Sequence, residues 1–541
     1  MILGLSALAA ASTVAAAPPS VEASKPAPAV AAPARPVQPL RTGPNAFFSP
    51  TEVRSKGSVR IGGRSIPYRA VAGTIVVHAK DWSDTDWLEA KAAKEPDEPK
   101  PEASMFYAAY FRDGVPTANR PITFLFNGGP GSSSVWLHMG AFGPMRVETR
   151  DPGHTSAPYS MVPNDKSLLD VSDLVFIDAP GAGFSRIAGK DKEKAFFGVD
   201  QDIDAFAQFI SAFLSQYNRW GSPKYVMGES YGTMRGAGLA LALQDREIDL
   251  NSLILLSDIL NWDLVPDDPK LNPSIDLAYV VSLPTYAATA WYHNRIPRPA
   301  GTLEDYLAEV ERFATTEYLA ALVRGNDLPA DERQRMAERL SAMTGLSVPY
   351  LLKTDLRIAY GAFQRELFGA ANQTSGTLDT RYVGPTIDPI GKVADYDPQS
   401  VAISGAYVGA YNDYVRTALR YGDGIEFKSG IPIYESWDYR HKPPGSSRAL
   451  IALPNVLPDL AVSMKQNPAM KVQVHGGYYD ISTPYFAGKF ELRHLPIPPE
   501  LQRNIDFHYY EAGHMIFAHP PSFEMLRANI GSFIEQTSGA R

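Results

Sequence analysis

Short runs of consecutive apolar residues alternate along this chain with longer segments whose apolar positions recur every three or four residues. Pro121 to Phe126, Leu174 to Ile177, Lys224 to Met227 and Leu253 to Leu256 are runs of the first kind. They are too short for helices and read as strands buried on both faces. Between the second and third, Ile203, Phe206, Ile210, Phe213, Leu214 and Tyr217 repeat at helical spacing. Asp200, Asp202 and Asp204 open that segment, where the positive end of a helix dipole favours acids. Strands alternating with helices predict an α/β fold with a mostly parallel central sheet and helices on both faces. Upstream, the β-rich runs Thr74 to Ala79 and Ser104 to Phe111 flank a charged stretch, Lys80 to Glu102, and predict a long hairpin with a solvated loop.

From about Pro266 to Gly430 the pattern becomes helical. Leu303 to Phe313, Thr316 to Val323 and Ala330 to Met343 read as helices, and the aromatics Tyr286, Trp291, Tyr292, Tyr407, Tyr411 and Tyr414 read first as core. Strand-type runs return at Lys471 to Val474 and Ile505 to Tyr510. The helical block therefore reads as a cap (266–430) inserted into a sheet domain whose two parts are 41–265 and 431–541. Ahead of it, Ile2 to Ala17 is apolar, rich in small residues and too short to span a bilayer, with Val14-Ala15-Ala16 suited to signal-peptide cleavage. Residues 1–17 are read as a signal peptide and the Pro/Ala-rich 18–40 as a linker. The expected location is exported, periplasmic or secreted, with no integral membrane segment in the mature chain.

With 541 residues, 45% apolar and 20% charged, the chain has the composition of a globular protein with a large core. A net charge of −8 without a basic run gives no ground for nucleic-acid binding. The absence of cysteine excludes disulfides, thiolate metal sites and a cysteine nucleophile.

The chemistry concentrates where apolar runs end. Lys224 to Met227 runs into Gly228-Glu229-Ser230-Tyr231-Gly232, followed by an alanine-rich segment from Met234 to Leu243. Gly-x-Ser-x-Gly between a strand and a helix is the setting of a nucleophile elbow, with the serine exposed above the sheet at a helix N-terminus. A serine hydroxyl needs a base to take its proton and a third group to orient that base. In α/β-hydrolases these follow in the order serine, acid, histidine. Here Ser230 is followed by Asp480 and His514, each just past a late strand run. His475 and His508 lie inside strand runs and read as packed. The run Asn127-Gly128-Gly129-Pro130-Gly131 ends another strand, where an oxyanion hole belongs, and Tyr231 N–H is the expected second donor.

Five stretches in order resemble the serine carboxypeptidase family, in a bacterial-type member. They are Asn127 to Ser134, Asp178 to Ser185, Gly228 to Gly232, Gly477 to Asp480 and Ala512 to Met515. The resemblance runs from about Pro121 to the C-terminus. It implies a peptide substrate, no cofactor and no metal, Ser230, Asp480 and His514 as the triad, and Gly129 and Tyr231 as oxyanion donors. It also implies that Asn127, Gly128 and Glu229 hold the substrate's terminal carboxylate. Three positions depart from the family. Ser132 replaces the cysteine usual in eukaryotic members, Leu125 replaces a frequent tryptophan, and Ala141 stands where a second glutamate would pair with Glu229. The last leaves the triad intact but bears on carboxylate recognition. The expected function is a serine-type carboxypeptidase working through an acyl-enzyme. A serine esterase, amidase or acyltransferase on the same scaffold is the alternative; an aminopeptidase and a catalytically idle binding protein are further ones. Oligomeric state and the preferred terminal residue are not encoded in any readable motif.

Overall fold

The computed structural model describes residues 48 and 50–539, except 84, 86–99, 118, 266–272 and 451–452. The expected signal peptide and linker lie outside the described residues, as does much of the charged loop after Lys80.

Ten strands form one sheet: β1 (Glu52–Ile61), β2 (Arg64–His78), β3 (Glu102–Arg112), β4 (Ile122–Phe126), β5 (Asp173–Ile177), β6 (Arg186–Ala188), β7 (Lys224–Glu229), β8 (Ser252–Leu256), β9 (Lys471–Gly477) and β10 (Ile505–Tyr510). Their order is β1-β2-β3-β5-β4-β7-β8-β9-β10, with β6 paired to β3. From β5 to β10 every pairing is parallel. β1, β2 and β3 form an antiparallel wing. This is the α/β fold with a mostly parallel sheet that the apolar runs predicted, and β2 with β3 is the expected hairpin. β1 was not predicted: its apolar face carries only Val59 and Ile61 beyond Gly57, and Arg54, Lys56 and Arg60 alternate with them. Gly57 makes room there for Tyr68, whose hydroxyl and ring end a Cβ would displace.

Both faces of the sheet are covered. Helices Val199–Gln216, Tyr231–Gln244 and Leu457–Gln466 pack on one side. Pro398–Thr417 and Pro520–Thr537 pack on the other. A third core joins helices Leu277–Tyr292, Leu303–Phe313 and Ala330–Thr344 to the segment from Tyr478 to Ala487. Among the described residues, no helix is long and apolar enough to cross a membrane.

Register sets where the chemistry lies. Phe126 pairs with Gly228, Leu256 with Glu229 and with His475, and Gly477 with Tyr510. The strands therefore end level with one another, and the residues just past them share one edge of the sheet, the edge where open parallel sheets bind ligands. At the opposite edge Asp173 accepts from Arg120 Nε (2.7 Å) and Arg219 Nη1 (2.6 Å). Arg219 is fully buried, and its other donors meet Ser222 Oγ and Arg120 O.

Candidate active site

The elbow follows from steric demand on a few residues. Ser230 sits at φ 61° and ψ −133°, a strained conformation for a residue with a Cβ. A Cβ on Gly228 would collide with the carbonyl of Gly232, so the turn closes only on glycine. Ser230 N–H donates to Leu256 O at 3.0 Å, and Thr233 N–H to Ser230 O at 2.8 Å. Ser230 caps the helix Tyr231–Gln244, and its hydroxyl makes no hydrogen bond to the helix's free N–H groups. Free serine hydroxyls commonly engage their base only once substrate binds.

The loop after β4 lies directly on the elbow. A Cβ on Gly128 would strike the backbone nitrogens of Tyr231 and Gly232. Asn127 Nδ2 donates to Glu229 Oε2, and Asn127 Oδ1 accepts from Leu137 N–H at 3.2 Å. Gly129 has φ +105°, and its carbonyl accepts from Tyr434 Oη at 3.2 Å. The loop after β5 braces this one. Asp178 accepts from Ser134 N–H and Ser134 Oγ, both at 2.8 Å, and burial lifts its carboxyl to about 6 despite those bonds. The second motif of the resemblance thus has a structural part to play, holding the first.

His514 Nδ1 donates to Asp480 Oδ2 at 2.7 Å. Asp480 is fully buried and also receives Thr483 N–H (3.0 Å) and Thr483 Oγ1 (2.7 Å). Burial opposes charging of His514, but the charge and hydrogen bond of Asp480 outweigh it and raise the imidazole above its usual range. Backbone contacts fix the ring's attachment: His514 N–H donates to Leu378 O at 2.6 Å and its carbonyl accepts from Ser257 Oγ at 2.7 Å. Glu229 is 2% exposed. Burial pushes its carboxyl up to about 7, against the pull of His514 and Asn127. Its Oε1 has no hydrogen-bond partner among the described residues.

A cavity of about 370 Å³ opens above the elbow, lined by Ser230, Gly129 and Tyr231 together with Trp262, Tyr360 and Thr483. Serine and two converging backbone segments line this cavity, and the carboxylate-bound imidazole of His514 lies behind its wall at Thr483; together these are the parts that acyl transfer requires. Ser230, Tyr231, Gly129, Gly128, Asn127 and Glu229 lie together, and Asp480 with His514 adjoins them through Thr483. The remaining late histidines stand apart from this cluster: His475 is buried in β9 against Gln473 and Tyr510, and His508 pairs with Asp506. Ala141 is fully buried, and the neighbouring Gly140 is closed in by Phe517 and Tyr407.

Sequence reasoning missed Thr483, Tyr434 and Arg235. Thr483 follows Asp480 at three residues, a local signal open to use. Arg235 stands alone on an alanine- and glycine-rich helix, and a lone charge there reads as solvent-facing. Among the described residues, no group of three or more His, Asp or Glu is arranged to hold a metal.

Residues 96–256 match the family model described as serine carboxypeptidase. The chain is similar to serine carboxypeptidase-like 50 of Arabidopsis thaliana, 26% identical over 369 residues, covering 65% of this chain and 73% of that one. It is similar to a probable serine carboxypeptidase of Arthroderma benhamiae, 28% identical over 256 residues, 44% of this chain and 45% of the other. With the pheromone-processing carboxypeptidase KEX1 of Yarrowia lipolytica it shares 31% identity over 140 residues, 25% of this chain and 21% of that one. Among solved structures, a proline iminopeptidase of Mycobacterium smegmatis aligns over 81% of this chain and 96% of its own, at 15% identity and a TM-score of 0.34.

Proposed function

From the premise that this chain belongs to the serine carboxypeptidase family, we propose that it is a serine-type carboxypeptidase that releases C-terminal residues from peptides through an acyl-enzyme. The observation that supports this reading most is the buried 2.7 Å hydrogen bond between His514 and Asp480, at the sheet edge that carries the strained Ser230. In this reading His514 takes the proton of Ser230 as its Oγ bonds to the scissile carbonyl carbon. The negative charge on the carbonyl oxygen is met by Gly129 N–H and Tyr231 N–H. His514 returns the proton to the amine of the departing C-terminal residue. Water then repeats the sequence, releasing the shortened peptide and Ser230. Asp480 keeps the imidazole in the tautomer and orientation that both steps need.

Asn127, Gly128 and Glu229 take the substrate's terminal carboxylate. A Glu229 lifted to about 7 stays protonated on the acid side of neutrality and donates to that carboxylate without repulsion. Residues 266–430 act as a cap whose Tyr360 reaches the cavity. The chain works after export, in the periplasm or outside the cell, which its apolar N-terminal stretch supports.

Ala141 in place of the family's second glutamate favours one alternative, an esterase, amidase or acyltransferase that binds no free carboxylate. Incubation with a defined peptide mixture, read by mass spectrometry, separates them. Stepwise loss of C-terminal residues is expected. Cleavage of esters and terminal amides with no trimming of free C-termini would replace the carboxypeptidase reading.

A further inference from the structure

Among the described residues two arginines are fully buried, one at each edge of the sheet. Arg219, at the amino-terminal edge, spends its donors on Asp173, Ser222 and Arg120 O, far from the cavity. Arg235 lies at the other edge, one turn into the elbow helix and directly behind the groups that form the proposed oxyanion hole.

Its contacts run to both halves of that hole. Arg235 Nη1 donates to Asn127 O at 2.8 Å, the carbonyl of the peptide immediately ahead of the one that carries Gly129 N–H. The guanidinium lies over the ring of Tyr231, 5.4 Å from its centroid, and Tyr231 supplies the other N–H. Phe126 at 5.1 Å and Phe206 at 4.2 Å close the remaining faces of the cation. Asp202, 1% exposed on the helix Val199–Gln216, accepts from Arg235 Nε at 2.7 Å and fixes the plane of the fork. On the cavity side the two donor segments touch, since a Cβ on Gly128 would strike Tyr231 N. The ring of Tyr231 is held in turn by an edge-on contact with Trp437, at 5.5 Å and 88°.

We infer that Arg235, oriented by Asp202, is a positioning residue that sets the two oxyanion donors relative to each other. It touches no substrate. It acts by holding the Asn127 carbonyl and the Tyr231 ring with one rigid planar cation, so that both N–H groups already point at the charge when it develops. Preorganised donors act on the transition state rather than on bound substrate, so the effect belongs in kcat. Lysine keeps the charge facing Asp202, but a single ammonium cannot reproduce the fork that spans two acceptors. The inference rests on the serine-hydrolase reading of the site.

The test compares Arg235→Lys, Arg219→Lys and wild type on one blocked peptide. Rates are normalised to the active-site fraction titrated with a fluorophosphonate. Each protein's affinity for a peptide boronate, which forms a tetrahedral adduct on the serine, is measured alongside. Arg235→Lys is expected to lower kcat per titrated site by about 10- to 100-fold, with KM within about threefold, and to weaken the boronate by the same factor as kcat/KM. Arg219→Lys is expected to lower the melting temperature and the titrated fraction while leaving kcat per site unchanged. An Arg235→Lys enzyme with wild-type kcat per site overturns the inference, as does an equal kcat loss in both variants. A wild type that neither reacts with the fluorophosphonate nor cleaves peptide or ester overturns the reading of the site, and the inference with it.

Discussion

Replacing Glu229 by glutamine tests carboxylate recognition, because glutamine keeps the shape and a donor but cannot ionise. The carboxyl of Glu229 rises from 4.5 to about 7, chiefly through burial, with His514 and Asn127 opposing the rise. Its protonated form is the one that donates to a substrate carboxylate. With a midpoint near 7, about nine in ten Glu229 side chains are protonated at pH 6 and about one in ten at pH 8, so KM for a free C-terminus rises about tenfold across that interval. The proton is present in acid and lost as pH climbs, so affinity falls in that direction only. The raised His514 demands the opposite, since it is a base only when neutral, and kcat/KM is therefore bell-shaped. The assay measures KM from pH 5 to 9 for a blocked dipeptide and for its C-terminal amide, in wild type and Glu229→Gln. The wild-type dipeptide profile is expected to rise about tenfold from pH 6 to 8, with the amide and the variant flat within about twofold. A flat dipeptide profile in wild type, or an equal slope for the amide, would refute the role given to Glu229.

Ser230→Ala is expected to lower kcat by about 10⁴- to 10⁶-fold and to abolish the single fluorophosphonate adduct; an adduct formed at the wild-type rate would move the nucleophile elsewhere. Asp480→Asn is expected to cost about 10⁴ in kcat with the fold retained. Asp459→Asn should instead lower stability, because Asp459 holds His441 Nε2 at 2.8 Å, and equal kcat losses in the two variants would mean that the orienting acid is misassigned. His441 also meets Asp200 at 2.7 Å, and these two carboxylates overcome burial to raise it from 6.5 to about 9. That stabilisation is fully present below pH 6.5 and lost as pH rises through about 9. His441→Gln should thus cost about 3 kcal/mol more at pH 6 than at pH 10 in denaturant titrations, and a pH-independent difference would rule out the charged form.

Fold class and elbow were legible because they depend on residues' own geometry. Runs such as Leu253 to Leu256 are buried on both faces whatever surrounds them, and their spacing with helical segments leaves few topologies. Gly228 precedes Ser230 because a Cβ there would strike the carbonyl of Gly232, a constraint written within five residues. Asp480 and His514 could be proposed because each lies just past a strand, and parallel strands deliver their ends to one edge. β1 escaped because an edge strand with charged alternates carries too few large apolar residues to register.

Partners and burial belonged to tertiary structure. Thr483 meets His514 across 31 residues and Asp480 meets it across 34, and Asn127 reaches Glu229 across 102. Arg235 looks like a solvated charge on its helix, yet packing closes Phe126, Phe206 and Tyr231 around it. The lift of Glu229 to about 7 has the same origin, since desolvation comes from everything packed around the carboxyl rather than from the residues beside it in the chain. Backbone conformation and strand-end chemistry are local and can be read from the sequence. Hydrogen-bond partners, charge states and the orientation of the oxyanion donors are sums over distant segments, and the sequence brings those segments together only by folding.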